Sequence, residues 1–192
     1  AIAMVLVNVW NFMDGINGLA ASQAALAALA FSTLLTDSWH WLALAVLAGC
    51  LGFLPFNFPK ARIFLGDVGS GALGFALAGL VVAAALASPP ARLPLLLLPL
   101  TAFLVDAGFT LLERMLRGEP WWTPHVSHLY QMGARRYGHT SLTVIYAAFG
   151  GVTLLLTCAL SQATLGVALA VTIAAYGVGG ALWFSLRRGW RG

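Results

Sequence analysis

The sequence contains few charged residues. Of its 192 residues only 8% are Asp, Glu, Lys or Arg, whereas 60% are hydrophobic. A water-soluble domain carries roughly a quarter charged residues, so this composition excludes an ordinary soluble fold and predicts a membrane protein. The ten basic residues are too few and too scattered to follow a phosphate backbone, which argues against nucleic-acid binding.

Cysteine is also scarce. Cys50 and Cys158 both lie in apolar stretches, with no second cysteine or histidine at metal-ligand spacing, so we expect both to be small buried hydrophobic residues. The sequence shows no signal-peptide pattern, and it opens at Ala1 inside a hydrophobic run without an initiating methionine. We therefore expect residues 1–192 to be the C-terminal part of one membrane domain whose N-terminal spans are missing.

Long apolar segments make up most of the sequence. Most of them approach the ~20 residues that a helix needs to cross ~30 Å of hydrocarbon. Backbone polar groups in hydrocarbon must be paired within the segment, which favours helices. We predict an all-α polytopic bundle of about seven transmembrane helices, at residues 1–13, 19–36, 40–58, 70–88, 93–112, 141–160 and 164–186.

The basic residues are distributed unevenly between the loops. If the turn at residues 14–18 is cytoplasmic, alternation of the helices places nine of the ten basic residues on the cytoplasmic side and only Arg92 outside. Cytoplasmic loops are enriched in Lys and Arg, so this distribution predicts the orientation. It also predicts a cytoplasmic C-terminus.

The first polar cluster is NVWNFMDGING, residues 8–18. Asn8 and Asn11 are three residues apart and share one helix face. Polar side chains at that depth usually face a partner or a wet cavity, which favours a functional site. The alternative is that Asp14 caps the next helix and that the glycines only form the turn.

The second polar cluster is FNFPKARIFLGDVGSGALGF, residues 56–75. Asp67 lies between glycines where the next helix begins, and the backbone N–H groups of a helix start favour phosphate. Mg²⁺ binds through one or two carboxylates together with substrate phosphates. The alternative is that Asp67 caps the helix. GSGALG also matches a dinucleotide-binding fingerprint, but no strand precedes it, and we reject that match.

The third polar cluster covers residues 106–139. Asp106 interrupts an apolar segment, which marks it as a functional candidate; the alternative is a salt bridge to Arg114 or Arg117. His125 and His128, followed by Arg135 and Arg136, form a basic loop suited to anionic oxygen. A zinc site is disfavoured because no third ligand follows at regular spacing. For His139 the alternative is a helix cap.

Taken together, the three clusters resemble the polyprenyl-phosphate N-acetylhexosamine-1-phosphate transferases. NVWNFMDGINGLA is similar to that family's N-x-x-N-x-x-D-G-[IL]-[DN]-G-L signature, and NFPKARIFLGDVGSGALG resembles its second signature. RGEPWWTPHVSHLYQ is most similar to the subgroup that transfers N-acetylfucosamine, N-acetylquinovosamine or N-acetylglucosamine phosphate for O-antigen and other surface polysaccharides. The peptidoglycan enzyme, the phospho-MurNAc-pentapeptide transferase, instead has consecutive histidines at this position and is the alternative.

The resemblance implies a function and a cofactor. A UDP-N-acetylhexosamine would donate its sugar phosphate to polyprenyl phosphate in the bacterial inner membrane, with Mg²⁺ or alternatively Mn²⁺ bound at Asp67; dimerisation is left open. The implied catalytic residues are Asp14, Asp67, Asn11, His125 and His128, and the implied substrate-binding residues are Asn8, Gly15, Ile16, Asn17, Asn57, Phe64 and Arg135. Phe64 would stack on uracil, and the two histidines would contact diphosphate oxygens.

Two features depart from the family pattern. Asn17 stands where many members carry an aspartate, and the sequence has no adjacent Asp-Asp pair, which the family carries in an earlier cytoplasmic loop. We therefore expect these 192 residues alone to be inactive. A transporter or a non-catalytic membrane subunit is the rival interpretation; it is disfavoured because transporters hold their polar residues near the middle of the membrane.

Overall fold

The computed structural model describes residues 1–120, 123 and 126–190, apart from the side chain of residue 37. These residues form helices and no strand, which confirms the predicted all-α fold. The α-helices are α1 (Ile2–Met13), α2 (Leu19–Ser32), α3 (Asp37–Asn57), α4 (Gly66–Ala87), α5 (Thr101–Leu116), α6 (Leu129–Tyr137), α7 (His139–Ala159) and α8 (Leu165–Trp190), and a 3₁₀ helix (Pro90–Leu100) precedes α5.

Five described helical segments are long and apolar enough to cross a membrane, compared with about seven expected. All seven predicted segments are helical, but α1 and α2 have only 12 and 14 residues. Eleven of the α2 residues are buried, so α2 is surrounded mainly by protein rather than by lipid. A helix enclosed in this way does not have to match the hydrocarbon thickness, since protein can cover its ends.

The core lies where α1 and α2 pack against α3, α4 and α7. Its largest fully buried side chains include Trp10 and Phe31. Small residues allow the closest helix contacts: a Cβ on Gly74 of α4 would lie 2.4 Å from the carbonyl oxygen of Leu6 in α1. Helices approach this closely only where one of them carries no side chain, so Gly74 fixes the separation of α1 and α4.

The segment that the sequence analysis predicted as one span at 93–112 has two parts. Pro94 and Pro99 lack backbone N–H donors, and the chain around them is a 3₁₀ helix that continues into α5. Near its start, Arg92 donates a hydrogen bond to Gln162 in the loop between α7 and α8 (3.0 Å). That contact marks one end of the bundle, and the polar clusters described below meet at the other end.

Candidate active site

The turn after α1 is held by the end of α3. Gly18 adopts a left-handed conformation (φ 75°) as the N-cap of α2, and no side chain caps this helix. The alternative that Asp14 caps α2 was therefore wrong. The backbone N–H of Gly18 donates to Asn57 Oδ1 (2.7 Å), and Asn57 Nδ2 donates to the carbonyl of Ile63 (2.8 Å). Asn57 thus ties the turn to the loop that leads into α4.

Asp67 lies in the first turn of α4, but it does not cap that helix. The N-cap is Leu65, without a side-chain cap bond, so the capping alternative was wrong. Instead, Asn11 Nδ2 of α1 donates to Asp67 Oδ1 (3.1 Å) and to Ser70 Oγ (3.2 Å). Asn11 therefore orients the carboxylate across the interface between α1 and α4.

These elements surround one polar pocket of about 230 Å³. This volume is below the roughly 300–1,000 Å³ of a complete small-molecule site. Eight of the twelve predicted site residues line it. The lining residues are Asn11, Asp14, Gly15, Ile16, Asn17, Asn57, Phe64, Gly66, Asp67, Ser70 and His139.

Two carboxylates dominate the charge of this pocket. Burial, and secondly the negative charge of Asp67, raise the pKa of Asp14 from 3.8 to about 6. A like charge nearby disfavours ionisation, whereas a bound cation would favour it for both groups. The aromatic ring of Phe64, 75% exposed, stands at the same pocket. The pocket therefore offers negative charge for a cation and an open aromatic face for a planar ring.

The carboxylates fit a hard divalent cation. Among the described residues, no group of three or more His, Cys, Asp or Glu side chains could hold a metal ion. A complete protein cage is not needed for Mg²⁺, which keeps water and substrate phosphates among its ligands and uses only one or two carboxylates. Asp14 and Asp67, which both line the pocket, supply that number.

Asn17 connects the turn to α7. Its Nδ2 donates to the carbonyl of Pro59 (3.0 Å), so its Oδ1 is the atom that faces His139 Nδ1 (3.2 Å). Because an amide oxygen only accepts, Nδ1 of His139 carries the proton. The N-cap of α7 is Gly138 and no side chain caps this helix, so the capping alternative for His139 was wrong.

His128 lies beside the pocket without lining it. It is the N-cap of α6 and only 2% exposed. Its ring stacks between those of Phe12 and Tyr130, with centroid distances of 6.1 and 5.9 Å. The hydroxyl of Tyr130 donates to the carbonyl of Phe12 (3.0 Å). The start of α6 is thereby held against the end of α1, next to the Asp14 turn.

Two other predicted site residues are not brought into the pocket. Asn8 is exposed and donates to the carbonyl of Met4 within α1 (2.7 Å). Arg135 donates to the carbonyl of Val126 (2.9 Å). His125 lies outside the described residues.

Asp106 does not form the salt bridge to Arg114 or Arg117 that was its alternative role. Arg114 pairs with Glu119 (3.2 Å) and Arg117 with Glu113 (3.1 Å). Asp106 instead accepts hydrogen bonds, including one from Thr110 on the same helix face (3.2 Å). Its carboxylate is therefore used inside the bundle rather than in the pocket.

The pocket includes three residues that the sequence analysis did not assign to it. Ser70 follows Asp67 by three residues, and that helical spacing would have placed it on the same face. Gly66 precedes Asp67 directly. His139 had no comparable local signal, since it is 122 residues from its partner Asn17 and reaches it only because α7 packs against α2.

Comparisons with known proteins give a matching family model and several similar proteins. The sequence model described as Glycosyl transferase family 4 matches residues 1–85. A protein of Bacillus subtilis described as a probable undecaprenyl-phosphate N-acetylglucosaminyl 1-phosphate transferase is 31% identical over 177 residues, which is 85% of this chain and 48% of that protein. A phospho-N-acetylmuramoyl-pentapeptide-transferase of Heliobacterium modesticaldum is 34% identical over 173 residues, 86% of this chain and 49% of that protein.

A third relative has a higher identity over a shorter part of the chain. The decaprenyl-phosphate N-acetylglucosaminephosphotransferase of Mycobacterium tuberculosis is 45% identical over 97 residues, 44% of this chain and 24% of that protein. The chain spans at most about half the length of these curated relatives.

Proposed function

We propose that this chain, which belongs to glycosyl transferase family 4, is part of an enzyme that transfers a sugar phosphate from a UDP-N-acetylhexosamine to a polyprenyl phosphate. The products are a polyprenyl-diphospho-sugar and UMP. The relatives are named as transferases that act on such lipids, or as the pentapeptide transferase. The apolar helices are long enough to hold the protein in the membrane where such a lipid resides.

One observation carries the proposal. Side chains from α1, the following turn and the start of α4 enclose a pocket that has two carboxylates and an exposed aromatic ring. A nucleoside diphosphate sugar has a planar base and a charged diphosphate, which match these two features. The ring of Phe64 suits stacking on uracil, and a cation held by Asp67 and Asp14 suits the diphosphate.

The reaction breaks the bond between the two phosphates of the donor. The sugar phosphate becomes linked to an oxygen of the lipid phosphate, and UMP leaves. Phosphoryl transfer depends mainly on charge neutralisation and in-line positioning. Mg²⁺, when bound, supplies the charge neutralisation. Asn11 orients the Asp67 carboxylate through its hydrogen bond, and a diphosphate contact by His125 and His128 stays a prediction.

The position of the pocket suits both substrates. The pocket lies at the ends of the helices, where α1 ends and α4 and α7 begin. A lipid phosphate resides at headgroup depth, and a soluble nucleotide reaches the same depth from the water side. The positive-inside distribution supports a cytoplasmic orientation in the bacterial inner membrane.

The transferred sugar is a separate part of the proposal. Relatives named for N-acetylglucosamine phosphate and for phospho-MurNAc-pentapeptide match almost the same share of the chain, 85% and 86%. They favour neither sugar over the other. The sequence PHVSH, residues 124–128, favours the surface-polysaccharide sugars, since it lacks consecutive histidines.

UMP release tests the proposal. The complete gene product in detergent is given undecaprenyl phosphate, Mg²⁺ and one donor at a time: UDP-N-acetylglucosamine, UDP-N-acetylfucosamine, UDP-N-acetylquinovosamine or UDP-MurNAc-pentapeptide. We expect one or more donors to release UMP only when lipid and cation are present. Asp67→Asn should lower the rate at least about 100-fold, the order expected for losing stabilisation of transition-state charge.

Glu119→Gln is the matched control. It makes the same acid-to-amide change at a residue that pairs with Arg114 away from the pocket, and it should retain the wild-type rate. Absence of UMP release with every donor would overturn the proposed function. A wild-type rate in Asp67→Asn would remove this carboxylate from the site.

A further inference from the structure

A buried carboxylate at the centre of the bundle holds the start of α6. Asp106 of α5 is 2% exposed. Its Oδ1 accepts from the backbone N–H of Leu129 (2.8 Å) and its Oδ2 from that of Tyr130 (3.0 Å). These are the first two residues of α6, whose N–H groups have no acceptor within their own helix.

Three further side chains donate to this carboxylate, and Nδ1 of His128 lies 4.0 Å from its Oδ1. Tyr146 of α7 donates to Oδ2 (2.8 Å), and Thr110 of α5 and Trp183 of α8 donate to Oδ1 (3.2 and 3.3 Å). Backbone and side-chain donors from four helices thus converge on one carboxylate. Asp106 therefore joins α5, α6, α7 and α8 at one point.

The segment held in this way is the one that touches the candidate active site. His128 immediately precedes the two bonded N–H groups, and its ring stacks on that of Phe12. Tyr130 carries one of those N–H groups and donates its hydroxyl to Phe12. Displacing the first turn of α6 would therefore move both side chains away from the Asp14 turn.

A second tie on the same segment comes from α8. Arg187 is buried, bonds to Glu113 of α5 and donates to the carbonyl of Ser127. The chain just before α6 is thus held from the side opposite to the pocket. Of these two side chains, Arg187 bonds the chain before α6, whereas Asp106 bonds the first two N–H groups of α6.

We propose that Asp106 is a positioning residue that sets His128 and Tyr130 against the Asp14 turn for the transfer reaction. This inference rests on the proposed function. Asp106 acts through the first turn of α6 and does not line the pocket. Its loss should therefore lower turnover while leaving nucleotide binding almost unchanged.

Asp106→Asn tests the contact with little change of shape. The carboxylate uses both oxygens to accept backbone N–H groups. An amide has one oxygen and one NH₂ group, so either orientation sets a donor against Leu129 or Tyr130. No side-chain flip relieves this conflict, and the start of α6 should detach.

Leu129→Pro and Leu129→Ala form a second, matched pair. Leu129 is the first residue of α6, a position that tolerates proline, and His128 before it has an extended backbone (ψ 149°) that suits a following proline. Both variants remove the leucine side chain, but only proline removes the N–H that donates to Asp106. Thr110→Val is the control for Asp106→Asn. It removes one side-chain donor to the carboxylate but keeps the hydrogen bonds from the backbone N–H groups of Leu129 and Tyr130.

Hydrogen exchange and kinetics are measured on the complete gene product in detergent. In Asp106→Asn we expect the amides of residues 129–131 to exchange at least about tenfold faster. We expect kcat to fall about 10–100-fold, the range for loss of a supporting hydrogen bond, while the Kd of the UDP-sugar changes less than about threefold. Leu129→Pro should show the same changes in exchange and kcat as Asp106→Asn. Leu129→Ala and Thr110→Val should keep exchange rates and kcat near those of the wild type.

Two results would overturn the inference: unchanged exchange at residues 129–131, or faster exchange with unchanged kcat. If Asp106→Asn does not fold, the two Leu129 variants test the inference instead. Equal kcat in Leu129→Pro and Leu129→Ala would contradict the positioning role of Asp106. If the wild-type protein shows no turnover, the proposed function fails. In that case the exchange data still show whether Asp106 holds α6.

Discussion

The hydroxyl oxygen of Tyr130 lies 2.1 Å from the point that a Cβ on Gly15 would occupy. Contacts between a side-chain carbon and another heavy atom need more than 3 Å, so glycine is required at position 15. The reason is the approach of α6 to the turn, since Gly15 is not among the glycines with positive φ. Tyr130 and Gly15 thus close the contact between the second half of the chain and the Asp14 turn.

Gly15→Ala should displace Tyr130, lower the thermal unfolding temperature and reduce turnover. Gly15→Ala/Tyr130→Phe should recover part of the stability, because the phenolic oxygen is the closest atom. Gly49→Ala is the control, as a Cβ there meets nothing within 4 Å. An unfolding temperature in Gly15→Ala equal to that of Gly49→Ala would contradict the contact.

The fold was predictable from the sequence because apolar length is a local property. Five of the seven predicted segments form helices long enough to span. The two shorter helices are α1 and α2, and for α2 the reason is tertiary packing. It ends at Ser32, whose hydroxyl bonds back to the carbonyl of Leu29 (2.8 Å), and its alanine-rich surface is enclosed by neighbouring helices. Apolar composition alone does not distinguish a helix covered by protein from one covered by lipid.

The candidate site was predictable where its residues are close in sequence or match a motif. Asp14 and Asp67 were placed together from their resemblance to family signatures, and the pocket joins them. The roles of Asn17, Asn57 and Asp106 depend on long-range bonds to backbone groups. Such bonds follow from how the helices pack, and no local pattern indicates them.

Removing the Asn11 side chain should lower kcat more than removing the Ser70 side chain, although the two side chains are hydrogen-bonded to each other. Asn11→Ala removes the donor to Asp67 and should lower kcat about 10–100-fold. Ser70→Ala leaves that bond intact, and Ser70 Oγ already bonds to the carbonyl of Gly66 within α4 (3.0 Å). A larger loss of kcat in Ser70→Ala than in Asn11→Ala would count against the orienting role of Asn11.

Phe64→Ala should weaken nucleotide binding without destabilising the protein, because the ring is 75% exposed. Stacking of a base on an aromatic ring contributes about 1–3 kcal/mol, or roughly 5–150-fold in Kd. Phe75→Ala is the matched control, since Phe75 is also exposed but lies on an apolar groove away from the polar pocket. Calorimetric titration with UDP measures both; equal affinities in the two variants would rule out stacking on Phe64.

Asp14 should make the cation-free protein less stable as the pH rises. Because burial and Asp67 raise its pKa to about 6, its contribution to folding stability is complete below pH 3.8 and is lost as the pH rises through about 6. In EDTA, the unfolding temperature of Asp14→Asn should fall less between pH 5 and 7 than that of the wild type. Identical pH profiles would show that Asp14 does not titrate in this range.

The central claim is that Asp67 and Asp14 bind a divalent cation together with a nucleotide diphosphate. The most direct measurement is an anomalous-difference map of the complete gene product crystallised with Mn²⁺ and UDP. We expect a manganese peak about 2.1 Å from a carboxylate oxygen of Asp67, on the same side as Asp14, with the uracil ring over Phe64. A manganese peak away from both carboxylates, with UDP bound elsewhere, would contradict the account.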